Sequence, residues 1–399
     1  MKENSPFTPG SPVPIELFVG RVRQIEEILK YVNQSASGRQ ENVFLTGERG
    51  LGKSSLTAFL RHLTNEKDFL AAYVSLVGIT DIKELIRRIF EQILKEANAE
   101  KTLKEKTGEF FEKYVKQVDL FGISLAFNPP EKELENITRN FPEAIKNIME
   151  KIKGEKKGIF IALDDINGLV NNPDFANWYK SFVDYVAIKY LRKFPVFIML
   201  IGLPERRDTL SKLQPSLMRI FRVIEIDKIS DKEVEQFFEM AFKKVNMKVK
   251  PKAMAYMTKF SSGLPFLMHE IGDAVFWGDN DGVISGNDAM YGILDAADRI
   301  GKKYLDPKVY RAIRSKRYRS IFRKLGEEPT TFFRKKELVS KLNDKEKKVF
   351  NNFLRKMREL GIIVSDMERG RGSYKFVNEL YPIYIWMENQ RFMGLSDKR

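Results

Sequence analysis

The stretch Gly47-Glu48-Arg49-Gly50-Leu51-Gly52-Lys53-Ser54 satisfies the pattern G-x-x-x-x-G-K-[ST] at every fixed position. Residues 42–46 before it form a short apolar run that favours a buried strand, and residues 55–61 after it are compatible with a helix. A strand, a glycine-rich loop and a helix in this order are typical of a loop that binds nucleotide phosphates, because backbone N–H groups and the helix N-terminus attract an anion.

The side chains of this loop have distinct expected roles. Lys53 is expected to reach the outer phosphates of ATP, and the Ser54 hydroxyl is expected to ligate Mg²⁺. Contacts with the nucleotide are predicted for the whole loop and the residue after it, namely Gly47, Glu48, Arg49, Gly50, Leu51, Gly52, Lys53, Ser54 and Ser55.

The composition of the 399 residues excludes several classes of protein. There is no cysteine, which excludes disulfides and thiol chemistry, and the two histidines, His62 and His269, cannot form a histidine metal cluster. No apolar run approaches the ~20 residues that span a bilayer, and the N-terminus has no apolar signal core. We therefore expect a cytoplasmic protein without a membrane partner.

The positive charge is concentrated at the end of the chain. The formal net charge is +15, and residues 301–399 hold 26 Lys and Arg against 12 Asp and Glu. This basic quarter predicts a polyanionic partner, with duplex DNA as the expected one. A solvated basic surface without function is the alternative.

Apolar strands alternate with helices over the first half of the chain and predict an α/β core with a parallel sheet. A mostly helical stretch follows, and then three helices and two short strands. The run 118–127 partly alternates and is compatible with a small inserted hairpin of unassigned role. The predicted divisions are an extended arm (1–17), an ATPase core (18–229), a helical lid (230–304) and a basic domain (305–399).

Two aspartates end the apolar run 158–165. The carboxyl ends of parallel strands meet at one edge of a sheet, so Asp164 and Asp165 are expected near the phosphate loop. Asp164 is predicted to hold Mg²⁺ together with Ser54. Asp165 is predicted to orient or deprotonate an attacking water.

These motifs, in this order, resemble the AAA+ ATPases and the related signal-transduction ATPases with numerous domains (STAND). The segment Phe18-Val19-Gly20-Arg21 resembles the one that packs near the adenine in those families, and Gly263-Leu264-Pro265 resembles the motif that places a proline, here Pro265, close to the nucleotide. The resemblance implies ATP and Mg²⁺ as cofactors, ATP hydrolysis, and nucleotide bound between core and lid. The layout with a basic final domain resembles origin-recognition and replication-initiator ATPases.

The chain departs from the AAA+ pattern at two points that concern hydrolysis. Asp165 stands where AAA+ motors usually carry glutamate, and the segment Ile201-Gly202-Leu203-Pro204 offers no polar side chain that senses the terminal phosphate. A slow switch therefore fits better than a motor.

Arginines could supply positive charge to the phosphoryl transition state, either from this chain or from a neighbouring subunit. Arg219 and Arg222 occupy the region where related ATPases place such an arginine, and Arg206 and Arg207 are rivals. The alternative for each of them is an ordinary surface arginine. His269 is interpreted as a polar residue of the lid.

The final domain has the plan of a winged helix-turn-helix. A helix over residues 344–360 is predicted to enter the major groove of DNA, and the turn 368–372 is predicted to be a wing that meets phosphates. Protein docking is the alternative use of such a domain. The predicted DNA contacts are Lys348, Asn351, Asn352, Arg355, Arg369 and Arg371.

The leading hypothesis from the sequence is an ATP-binding, slowly hydrolysing switch that binds DNA, in replication initiation or in target selection for transposition. The alternative is a STAND-type signalling or defence ATPase whose final domain docks protein. Self-association or a protein partner is compatible with either reading. A metabolic kinase is disfavoured, because no acceptor-substrate pocket is visible and the basic domain would be unexplained.

Overall fold

The computed structural model describes residues 2–112, 115–118 and 124–396. The chain separates into two compact units. Residues 20–227 form the first, here called the core unit, and residues 1–19 with 228–399 form the second, here called the C-terminal unit. The four-part division expected from the sequence is finer than this and stays a prediction.

The core unit is built on a five-stranded parallel sheet, as the apolar runs predict. The strand order is β2-β5-β6-β1-β7. Three of these strands, β1, β5 and β6, are buried along their full length, because helices cover both faces of the sheet. The strands are β1 (Glu41–Thr46), β2 (Phe69–Ser75), β5 (Gly158–Asp164), β6 (Val196–Gly202) and β7 (Arg222–Glu225).

Amphipathic helices connect these strands. In the third helix the apolar residues recur at helical spacing and are buried, while Asp81 caps its first turn by accepting a hydrogen bond from the Glu84 N–H. The helices of the core unit are α1 (Val22–Ala36), α2 (Lys53–Glu66), α3 (Ile82–Asn98), α4 (Lys101–Phe111), α5 (Glu131–Arg139), α6 (Phe141–Ile152), α7 (Pro173–Lys189) and α8 (Pro204–Leu213).

A hairpin lies between α4 and α5, where the sequence suggests one. Strands β3 (Val115–Val118) and β4 (Ser124–Phe127) pair antiparallel, with Val115 opposite Phe127. Residues 119–123 lie outside the described residues.

The C-terminal unit has four helices between residues 231 and 300, in the stretch that the sequence predicts to be mostly helical. Two of them start with a capping box, in which a serine and the acidic residue three positions later exchange hydrogen bonds with the backbone. The elements are α9 (Asp231–Lys244), β8 (Lys248–Val249), α10 (Pro251–Ser261), α11 (Pro265–Gly278), β9 (Val283–Ile284) and α12 (Gly286–Ile300).

Helix α12 does not end at the predicted boundary between residues 304 and 305. It continues as a π-helix over Gly301–Arg311, and the terminal helix α17 (Leu380–Ser396) packs against both. Tyr384 of α17 lies over Gly301, and Arg391 forms an ion pair with Asp298 at 2.7 Å. The helical lid and the basic domain are therefore packed together within one unit.

The rest of the basic domain is compatible with the winged helix expected from the sequence. A three-stranded antiparallel sheet of order β10-β12-β11 packs with short helices. Neither strand β10 nor helix α17 is predicted by the sequence. The elements are α13 (Lys316–Leu325), β10 (Phe332–Arg334), α14 (Lys335–Ser340), α15 (Asp344–Lys347), α16 (Phe350–Glu359), β11 (Ile363–Ser365) and β12 (Ser373–Phe376).

The single helix predicted over residues 344–360 is wrong, because it breaks after residue 347. The Val349 N–H bonds to the carbonyl of Glu346 only three residues back, at 3.0 Å, which tightens the chain out of the α-helical path. The buried Glu346 carboxylate is itself held by the Lys324 ammonium at 2.7 Å and the Asn343 N–H at 2.9 Å. None of the helices in the described ranges is long and apolar enough to cross a membrane.

The N-terminal arm packs into the C-terminal unit. Phe7 is 3% exposed and its ring lies among Phe237, Phe242 and His269. The Thr8 N–H donates to Nδ1 of His269 at 3.0 Å, so that ring nitrogen carries no proton. His269 is thus a satisfied polar residue of the lid, as its sequence context suggests.

This arrangement predicts acid sensitivity of the C-terminal unit. Burial lowers the pKa of His269 from 6.5 to about 4, and the charge of Asp273 opposes this only in part. The unfolded chain therefore binds the proton more readily between pH 6.5 and 4, so stability present above pH 6.5 is lost as the pH falls towards 4. Between pH 7 and 5 we expect the wild type to lose about 2 kcal/mol more unfolding free energy than His269→Gln, measured by urea unfolding.

The half-exposed His62 supplies the control, since it lies on α2 and pairs with Glu66 at 3.3 Å. Between pH 7 and 5, His62→Gln should lose as much unfolding free energy as the wild type does. A His269→Gln variant with the wild-type pH dependence would show that His269 does not titrate with a lowered pKa.

Candidate nucleotide-binding site and basic surface

The phosphate loop follows β1 at the carboxyl edge of the sheet and leads into α2. Gly50 and Gly52 have φ angles of 80° and 86°, in the left-handed region that glycine adopts without strain. Gly52 is also the N-cap of α2, so the loop and the first turn of that helix present their backbone N–H groups together. This is the local geometry of an anion site.

Two further contacts hold the loop in shape. A Cβ on Gly47 would lie 2.7 Å from the carbonyl oxygen of Ile226, so no other residue fits there without a backbone shift. The buried guanidinium of Arg21 donates to the carbonyl of Leu51 at 3.0 Å. Sequence reasoning missed this role of Arg21, since only a coarse resemblance pointed to that segment.

Lys53 is folded back on its own loop. Its ammonium donates to the carbonyl oxygens of Gly47 at 2.6 Å and Glu48 at 2.8 Å. Burial lowers the pKa of Lys53, and the charge of Asp164 partly opposes that shift. A phosphate placed on the loop would meet this ammonium as a preformed cationic donor.

Ser54 and Asp164 meet, as the sequence predicts from their positions at one edge of the sheet. The Ser54 hydroxyl donates to Oδ2 of Asp164 at 2.7 Å, although 110 residues separate the two in sequence. Asp164 is 7% exposed and ends β5. Tyr73 on the neighbouring strand β2 also donates its hydroxyl to the same oxygen, at 2.6 Å, and sequence reasoning did not single it out.

Asp165 adopts a left-handed conformation, with φ at 60°, directly after β5. Its N–H donates to Oδ1 of Asp164 at 2.9 Å, and its own buried Oδ1 receives no hydrogen bond within the described part of the chain. An unsatisfied buried carboxylate oxygen beside a serine–aspartate pair suits a hard cation that prefers oxygen ligands, such as Mg²⁺.

A polar pair lies beyond the ends of β5 and β6. Arg206 on α8 donates Nε to Oδ1 of Asn167 at 3.1 Å, which links that helix to the turn after Asp165. The neighbouring Glu205 carboxylate is close enough to raise the pKa of Lys53 slightly against the effect of burial. Arg207 instead pairs with Glu225 at 2.7 Å.

The predicted arginines Arg219 and Arg222 are not brought to the loop within this chain. In the parallel pairing of β1 with β7, Arg222 lies beside Val43, whereas the loop begins after Thr46. About 10 Å along the strand therefore separates Arg222 from the loop. Its guanidinium lies over the Tyr31 ring, 5.4 Å from the ring centroid. Arg219 is exposed in a short 3-10 helix just before β7. A role for either arginine towards a neighbouring subunit stays a prediction.

Three residues predicted to contact nucleotide belong to the C-terminal unit: Phe18, Val19 and Pro265. Gly20 belongs to the core unit with the loop. The nucleotide contacts of all four stay predictions.

The residues predicted to contact DNA are exposed on the basic domain. Lys348 lies in the break before α16, and Asn351, Asn352 and Arg355 lie on the solvent side of that helix. Asn352 accepts a hydrogen bond from Arg355 at 3.2 Å. The structure therefore groups these four side chains on one surface.

The wing joins β11 to β12 and carries Arg369 and Arg371. Gly370 and Gly372 have φ angles of 89° and 83°, which the tight turn requires. The Arg369 guanidinium stacks 3.9 Å from the Phe332 ring centroid and pairs with Asp366 at 3.2 Å, whereas Arg371 is exposed at the tip.

Comparison with known proteins agrees with this description. A family model of the AAA ATPase domain matches residues 17–178. The solved ORC2 protein of Aeropyrum pernix, described in ADPNP-ADP complexes, has a TM-score of 0.58 at 12% identity and covers 99% of this chain and 98% of its own. Its ADP form has a TM-score of 0.51 at 11% identity, with 97% of both chains covered. At these identities the likeness concerns the fold.

Among curated sequences, an uncharacterized HTH-type transcriptional regulator of Methanocaldococcus jannaschii is 21% identical over 239 residues. The alignment covers 57% of this chain and 54% of that relative, so the chain spans about half the length of the curated relative it matches.

Proposed function

We propose that this chain is an ATP-binding, slowly hydrolysing switch of the AAA+ type that binds duplex DNA through its basic winged-helix domain. The match of residues 17–178 to the AAA ATPase domain supports the ATPase part of this proposal. The observation that carries the nucleotide half is the Ser54–Asp164 hydrogen bond beside the folded-back Lys53. The ORC2 protein of similar fold, described in ADPNP-ADP complexes, supports the same ligand class.

Each side chain of the site has a definite task in this proposal. The loop N–H groups and the Lys53 ammonium bind and orient the phosphates. Ser54 and Asp164 would hold Mg²⁺, which when bound neutralises charge on the phosphates. Asp165 accepts a hydrogen bond from the attacking water and so orients it towards the terminal phosphate.

Slow hydrolysis follows from Asp165. Its carboxylate is one methylene shorter than that of glutamate, and its backbone is held by the N–H bond to Asp164. A water bound to Asp165 is therefore positioned less well for attack on the terminal phosphate than a water bound to glutamate. A misplacement of about 1 Å can lower the rate of hydrolysis about a hundredfold. Long occupancy by ATP suits a switch.

The DNA half of the proposal is supported by charge and by surface. The exposed cations and amides of α16 and the wing offer contacts to phosphates and to base edges. The curated relative named as an HTH-type transcriptional regulator supports the same partner class. Replication initiation and target selection in transposition are both compatible outputs.

Duplex DNA affinity should fall roughly ten- to a thousandfold between 50 and 200 mM salt, because bound counterions are released from several phosphates. The variant that tests the surface changes four residues to alanine: Lys348, Arg355, Arg369 and Arg371. We expect it to lose DNA binding in a fluorescence anisotropy assay and to keep its ATP affinity, since none of the four lies in the core unit.

A matched control removes the same charge from the core unit. It changes four exposed lysines to alanine: Lys67, Lys95, Lys132 and Lys212. This control should keep most of the DNA affinity. If the two variants lost DNA affinity equally, the net positive charge of the protein, and not the winged-helix surface, would account for DNA binding.

A second candidate function, protein docking, is favoured by one feature of the wing. Apolar side chains are exposed next to the cations, with Val364 of β11 at 41% and Met367, in the connection between β11 and β12, at 78% exposure. An exposed apolar patch suits a protein partner. If the wild-type protein bound no duplex DNA at low salt, and if added DNA changed neither its ATPase rate nor its particle size, protein docking would be supported instead.

A further inference from the structure

Tyr73 points a hydroxyl group at the candidate metal site from a strand that is not part of the phosphate loop. Strand β2 lies beside β5 with Ser75 opposite Asp164, and side chains two residues apart on a strand share a face. Tyr73 is thus on the same face as Asp164. Its ring is long enough for the hydroxyl to reach Oδ2 of Asp164 at 2.6 Å.

The Asp164 carboxylate is held at both of its oxygens. Oδ1 accepts the Asp165 N–H at 2.9 Å, and Oδ2 accepts the hydroxyls of Ser54 and Tyr73 at 2.7 and 2.6 Å. The Tyr73 hydroxyl is the donor in its bond, because an ionised carboxylate can only accept hydrogen bonds. The carboxylate therefore cannot rotate without breaking these bonds.

The two hydroxyls on Oδ2 would have different tasks in a loaded site. The Ser54 hydroxyl would serve both the metal, through an oxygen lone pair, and Asp164, through its proton. The half-buried Tyr73 hydroxyl would serve the carboxylate alone and would keep Asp164 in place for the metal.

We propose that Tyr73 is a positioning residue of this site, whose hydroxyl orients the Asp164 carboxylate for Mg²⁺ and so strengthens Mg²⁺-dependent nucleotide binding. The proposal rests on the proposed nucleotide-binding function. It adds a residue from β2 to a site that the sequence assigned to the loop and the end of β5.

Tyr73→Phe removes only the hydroxyl and keeps the ring. The affinity of the full chain for the ATP analogue ADPNP is measured by calorimetry, in EDTA and over a Mg²⁺ series. We expect the Mg²⁺ concentration at half-maximal effect to rise about tenfold, the loss typical when an outer partner of a metal ligand is removed. The affinity in EDTA should not change, because the Tyr73 hydroxyl acts on the Asp164 carboxylate, whose task in the proposed site is to hold Mg²⁺ and not to bind the phosphates.

Tyr185→Phe is the matched control. Tyr185 also donates its hydroxyl to a carboxylate, that of Glu143, but on the surface of α7. It should behave as the wild type in both conditions. A Tyr73→Phe variant with the wild-type Mg²⁺ dependence, or with an equal loss of affinity in EDTA and in Mg²⁺, would overturn the proposal.

A double-mutant comparison separates positioning from a general structural role. Asp164→Asn removes the charge that Tyr73 orients, so adding Tyr73→Phe to it should cause no further change in the Mg²⁺ dependence. Additive losses would refute action through Asp164. A wild type that binds ADPNP neither in EDTA nor in Mg²⁺ would refute the nucleotide-binding function itself, and the Tyr73 proposal with it.

Discussion

Lys53→Ala should lower the affinity for MgATP about a hundredfold, which corresponds to about 3 kcal/mol, the upper range for a hydrogen bond to a charged group. The reason is that the Lys53 ammonium already lies against the loop carbonyls, partly buried, and meets the phosphates without first being ordered. Binding of a fluorescent ATP analogue to the full chain, in Mg²⁺, measures the loss.

Lys67→Ala is the control, because Lys67 is exposed at the far end of the same helix α2. It should bind the analogue as the wild type does. Wild-type affinity in Lys53→Ala would mean that the nucleotide does not sit on this loop. Duplex DNA binding in the absence of nucleotide should be the same in both variants.

Gly301→Ala should destabilise the C-terminal unit by about 3 kcal/mol, the upper range for overpacking of a filled interior. A Cβ at this position would lie 2.0 Å from the Tyr384 ring, and that ring is 1% exposed and held through its hydroxyl by Asp306. Either the ring or the backbone of α12 must move. Since α12 and α17 join the lid to the basic domain, we also expect weaker DNA binding.

Urea unfolding followed by tryptophan fluorescence measures this effect. In a Trp178→Phe background the signal comes from Trp277 and Trp386, which both belong to the C-terminal unit. Gly278→Ala is the control, since a Cβ at that position would meet no atom within 4 Å. Equal stabilities for the two variants would contradict the close packing of Tyr384 on Gly301.

Local sequence patterns were sufficient to predict strands of the core unit and the helical character of residues 231–300. The apolar runs at residues 42–46 and 158–165 became β1 and β5 with shifts of one residue, because strands buried on both faces need no distant information to be recognised. The four helices of residues 231–300 lie in the stretch predicted to be mostly helical, and serines cap the first turns of two of them.

Sequence patterns gave wrong or missing elements where contacts with distant residues override the local conformational preference of the chain. Apolar residues at helical spacing predicted one helix over 344–360, yet Lys324 from another helix holds Glu346 where the chain tightens. Strand β10 has only three residues, and it exists because β12 supplies its hydrogen bonds. A short strand of this kind has no periodicity to detect.

By itself the sequence determined the phosphate loop, its flanking strand and helix, the acidic pair at residues 164–165 and the basic final domain, because each is a local pattern of residue types. Only the tertiary structure decided that Tyr73 shares Asp164 with Ser54, that Arg21 supports the loop, that Arg222 lies at the other end of the sheet, and that the lid packs with the basic domain. The physical reason is that such contacts depend on strand order and register, which bring together residues far apart in the chain.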